Sequence, residues 1–156
     1  MWRLTVLAGL ALGILFPVAA AAQAADPAPR PVPILDNGEM MDIFLKPAYI
    51  ELQQAMARPP ADRKDWATIY QKAVRLAEME NLLFFRNHED VRQPEWAATA
   101  ARARQAAADV AAAALLGLRT VKPENYAIVR AKYPAVADTC NACHQTFARD
   151  AVTVKP

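Results

Sequence analysis

The stretch CNACH, Cys140 to His144, holds both cysteines and one of the two histidines in a chain of 156 residues. On a helix, residues three and four apart share a face, so Cys140, Cys143 and His144 would project together. Cys-x-x-Cys-His is the pattern by which haem is attached covalently. Each thiol adds across one of the two vinyl groups, and the adjacent imidazole ligates the iron from the proximal side. Other chemistries use parts of the same pattern. A thiol–disulfide redox pair of this spacing usually opens a helix in a βαβ setting, which this sequence lacks. Half a zinc site would need further ligands, and beyond the motif only His88 remains among cysteines and histidines. A simple disulfide would leave His144 without a task.

The elements that must carry this motif are helical. The sequence has no strand alternation of any length and only 4 glycines, and its apolar residues recur at intervals of three and four. The first segment runs from about Asn37 to Ala57, with Met41, Leu45, Ala48, Leu52 and Met56 down one face, and Pro47 should kink it or force a short first part. The second runs from about Asp62 to Phe85, with Ile69, Ala73, Leu76, Met79 and Leu83 inward and Trp66 in the core. The polar run RNHEDVRQPE forms a loop, and Pro94 suits the first turn of the third helix. That helix turns Trp96, Ala100, Ala103, Ala107, Val110 and Ala114 to one side, with Gly117 as its expected stop. The fourth starts near Pro123, bends at Pro134 and reaches Arg149. Four such helices with short connections predict an all-α, antiparallel four-helix bundle over residues 37–149, followed by a tail at 150–156.

The chain begins MWRLTVLAGLALGILFPVAAAAQAADP. Arg3, the apolar core from Val6 to Val18 and Ala22-Gln23-Ala24 read as an export signal over residues 1–24, cleaved after Ala24, with retention as a membrane anchor as the alternative. Residues 25–36, rich in proline, read as an extended lead. Without the signal, 17 basic residues face 16 acidic ones. That balance argues against nucleic acid as a partner, because phosphate binding needs a surplus of Lys and Arg. Export makes the periplasm the expected location. Two cysteines there would oxidise unless another chemistry claims them.

The signal, the four-helix pattern and the C-terminal CNACHQTF together resemble the class II c-type cytochromes, the cytochrome c′ group. In that group Cys-x-x-Cys-His lies on the last helix. An aromatic residue commonly follows three positions after the histidine, and Phe147 matches. A basic residue often comes next; Ala148 stands there, with Arg149 one later. The resemblance covers essentially all of the chain after the signal, and EMMDIFLKPAY and LAEMENLLFF resemble its Met-bearing, six-coordinate branch. It implies one covalent haem c and redox partner proteins, and its members often dimerise through their first two helices.

The residue on the other side of the iron decides between functions. Two strong axial ligands suit electron transfer, whereas an open distal side can bind a diatomic gas. In an up-down-up-down bundle the end of the fourth helix lies beside the start of the first and the end of the second. Met41 meets that condition and points inward with Leu45. Met40 shares a face with Glu51 and Gln54, and Met56 lies about 22 Å further along the axis. Met79 and His88 are competitors, the former also fitting plain core. The resemblance agrees with Met41, since six-coordinate members take a methionine from the first helix. Members that bind gases often carry an arginine four residues earlier, where this chain has Asn37. Leu45, Leu83, Trp96 and Phe147 are candidate haem walls, and Arg86, Arg92 and Arg149 candidate partners for its propionates. No catalytic constellation is visible, so the expected function is single-electron carriage with His144 proximal and Met41 distal. The alternatives are a five-coordinate binder of NO or CO, and a thiol-redox or purely structural helical protein.

Overall fold

A computed structural model describes residues 32–86 and 93–156. The expected export signal, most of the extended lead, His88 and Arg92 lie outside them. Among the described residues there are helices and turns and no strand. None of these helices is long and apolar enough to cross a membrane.

The first helical segment is compound: α1 (Asn37–Met40), a π turn (Met41–Leu45) and α2 (Lys46–Met56). Its start is a capping box, in which Asp36 accepts from the Glu39 amide at 2.8 Å and Glu39 accepts from the Asp36 amide at 3.0 Å. Pro47 explains the π turn. Its ring would clash with the carbonyl four residues back in a continuous α-helix. The chain widens instead, and the Lys46 amide reaches the Met41 carbonyl, five residues back. Pro47 then sits in the first turn of α2, where its missing N–H costs nothing.

α3 (Arg63–Glu80) is capped by Asp62, which accepts from the Asp65 amide, and it tightens into a 3-10 turn over Asn81–Phe85. α4 (Gln93–Thr120) runs back along it and takes Pro94 in its first turn. The closeness of α3 and α4 rests on small side chains. Ala100, Ala103, Ala106, Ala107, Ala111, Ala113 and Ala114 are all buried. Gly117 does not stop α4, which continues one turn to Thr120. A Cβ at 117 would overlap the Trp66 indole, so this glycine serves a close approach between helices and not a C-cap. The helix ends where Val121 adopts φ 51°, and its amide bonds the Gly117 carbonyl at 2.7 Å.

The last segment is α5 (Asn125–Lys132) followed directly by α6 (Pro134–Phe147), which packs chiefly on α4. Pro134 breaks the helix at the expected point. The core runs through all four segments, with Met40, Leu52, Trp66, Ile69, Leu76, Val110, Val129 and Val136 fully enclosed. The result is an all-helical bundle.

Candidate functional site

Cys140, Cys143 and His144 lie in the last two turns of α6, three and four residues apart on a continuous helix. Both thiols are free and partly covered. Burial pushes the Cys140 thiol up to about 12, with the charges of Glu80 and Cys143 adding to it. Burial likewise raises Cys143 to about 11; Arg102 pulls against that shift and Glu80 adds to it. Thiols used in disulfide exchange are usually held low, and burial shifts these two in the opposite direction. His144 Nδ1 is buried with no hydrogen-bond partner, so no structural bond occupies that atom. The donor set of two S–H groups and one untied imidazole on one helix face fits covalent attachment of haem. Among the described residues, no three His, Cys, Asp or Glu side chains cluster to hold a bare metal ion.

The surroundings come from the ends of several helices, as the bundle order predicts. Trp96, at the start of α4, meets Phe147 edge to face with ring centroids 5.2 Å apart. The Trp96 indole N–H donates to the Leu83 carbonyl at 2.7 Å. Leu83, Trp96 and Phe147 are thus brought together, while Leu45 is buried at the end of the π turn of the first segment. Arg86 is 9% exposed and its guanidinium donates to the Leu35 and Asp36 carbonyls at 2.9 and 3.1 Å. It ties the end of the second segment to the start of the first, so it has a structural task. Arg149 is exposed.

The two adjacent methionines sit differently from a regular helical wheel. Met40 is 0% exposed, whereas Met41 is only partly covered and packs at the margin of the core. The π turn is the reason. It adds one residue between position 40 and the inward Leu45, and this turns Met40 away from the side of Glu51 and into the bundle. Met41 keeps part of its side chain uncovered, as do Met79, Cys143, His144 and Phe147.

One residue at this end carries no motif. Glu80, the last residue of α3, is 2% exposed, and its Oε2 has no hydrogen-bond partner. Burial raises its carboxyl to about 8, and its charge is felt at both thiols. The sequence did hold a signal for it: Ala73, Leu76, Ala77 and position 80 form one inward row, and that row ends in a glutamate.

No protein-family profile, curated protein or solved structure matches this chain.

Proposed function

We propose that this protein is an exported, periplasmic c-type cytochrome of class II, related to the cytochrome c′ group, that carries single electrons between redox partners. The observation that carries the reading is the face of α6 on which two free thiols and an imidazole stand together, three and four residues apart. Haem c, when bound there, supplies one-electron chemistry through an iron that alternates between ferrous and ferric. Cys140 and Cys143 would anchor it through thioethers, and His144 would ligate from the proximal side. Leu83, Trp96 and Phe147 would supply apolar walls at this end, with Leu45 from the first helical segment.

Met41 is the proposed distal ligand. A sulfur that must reach an iron needs a side chain not already enclosed by protein, and Met41 keeps that freedom where Met40 does not. A thioether ligand and burial both raise a reduction potential, so a moderately positive midpoint is expected. The proposed role is that of a carrier and not an enzyme.

The test is the absorption spectrum of protein matured with haem, taken oxidised, reduced, and reduced under carbon monoxide. Low-spin bands, a weak far-red Met–iron band and strong resistance to the gas, which enters only slowly, are the expected result. Broad high-spin bands that sharpen with carbon monoxide would replace the carrier with a gas binder. A colourless product would end the haem reading and leave a thiol-redox or structural protein.

A further inference from the structure

α6 carries the whole CNACH motif and packs on α4 and α5, whereas the ties to the first helical segment are made by residues before it and after it. Remote from the motif, the Tyr126 hydroxyl donates to the Met56 carbonyl at 2.7 Å. Next, Tyr49 of α2 stacks on Tyr133, with ring centroids 6.3 Å apart and planes 15° from parallel. The tie that engages the motif itself is made by the tail. After α6 the chain turns, with the Ala151 amide on the Ala148 carbonyl at 2.8 Å, and comes back beside the helix. Asn141, the second residue of CNACH, donates from Nδ2 to the Val154 carbonyl at 2.9 Å and accepts from the Val154 amide on Oδ1 at 2.8 Å. The next carbonyl, of Lys155, accepts from the Tyr49 hydroxyl at 2.7 Å and from Gln53 Nε2 at 3.1 Å. The Val154 side chain packs against the core.

We infer that Asn141, Val154 and Lys155 form a strap that holds the proximal helix against α2, and that Asn141 is thereby a positioning residue for axial ligation. The inference rests on the haem reading above. Cys140, Cys143 and His144 all belong to α6, so attachment there does not depend on where α2 lies. The bond from Met41 is the one that must cross between the two segments, and slack between them acts on it first. Asn141 lies three residues before His144 without being a ligand itself, and its two hydrogen bonds both go to Val154. Removing them leaves an amide and a carbonyl of the tail to find water, a change worth about a tenfold shift in how often the Met41 bond is open.

Full-length protein, Asn141→Ala and a chain ending at Arg149 would be matured with haem and compared. The readouts are covalently retained haem on a denaturing gel, the far-red Met–iron band, and the rate of carbon monoxide binding to the ferrous form. All three proteins should retain equal haem, while both altered chains show a weaker far-red band and bind the gas about tenfold faster. Equal gas-binding rates and equal far-red bands in all three overturn the inference and leave the haem reading intact. So does a red full-length protein that already binds the gas freely. If either altered chain fails to mature, Tyr49→Phe removes one strap hydrogen bond and keeps the ring; a faster gas-binding rate supports the strap, and an unchanged one overturns it. A colourless full-length protein overturns the haem reading and this inference with it.

Discussion

Met40 and Met41 are neighbours with opposite expected behaviour. Met41→Ala should abolish the far-red Met–iron band and open the ferrous protein to carbon monoxide, with little loss of stability. Met40→Ala removes a wholly enclosed side chain and should cost about 2–5 kcal/mol in denaturant unfolding without changing the low-spin spectrum. The reverse pattern would move the distal ligand to Met40. Glu80 gives a second test at this scale. Its carboxyl titrates near 4.5 in a solvated chain and near 8 in the fold. Below the lower value it is protonated in both states. As pH rises towards the upper one, the unfolded chain gives up its proton first, so the folded state loses stability across that window. Glu80→Gln, which cannot ionise, should flatten the fall in thermal midpoint between pH 5 and pH 8. A wild-type midpoint that does not fall over that range would show that Glu80 finds a partner.

At the scale of elements, two positions at the end of α4 are separately testable. Val121 closes α4 with φ 51°, a conformation that a β-branched residue adopts at a cost. Val121→Gly should therefore raise the thermal midpoint, by an amount corresponding to about 1 kcal/mol. Gly117→Ala should do the opposite. The added methyl meets the indole of the fully enclosed Trp66, and overpacking of this kind costs about 1–3 kcal/mol. These two sites also mark how far the sequence could be read. Periodicity of three and four located all four segments to within a few residues, because each buries one continuous apolar face. It misjudged Gly117, since a glycine at a helix end and a glycine under a tryptophan look alike without the partner helix. It placed Met40 outside, because a wheel drawn at constant pitch has no room for the extra residue that Pro47 forces into the turn before it. That Cys140, Cys143 and His144 share one helix was legible from spacing alone. The strap was not, because Asn141 and Val154 pair through one side-chain amide and a backbone, and a backbone leaves no mark in composition.

At the scale of the whole molecule, charge is the feature with a measurable consequence. With 17 basic and 16 acidic residues after the expected signal, the chain sets up little long-range field. Several of these charges pair locally. The Glu51 carboxylate, for example, takes Lys72 at 2.6 Å and Arg75 at 2.7 Å across α2 and α3. Electron exchange with small anionic and small cationic redox reagents should therefore proceed at rates that change by less than about tenfold between low and high salt. A steep slope with either reagent would reveal a charged patch around the exchanging edge. The alanine face of α4 bears on the gene as well as the fold. Every one-base change that replaces an alanine gives Gly, Ser, Thr, Pro, Val, Asp or Glu. At Ala107 or Ala114, both 0% exposed, each of these is larger, charged, helix-breaking or more flexible. At these two positions every such replacement therefore carries a structural cost, and α4 gives the gene few changes there that the fold would not feel.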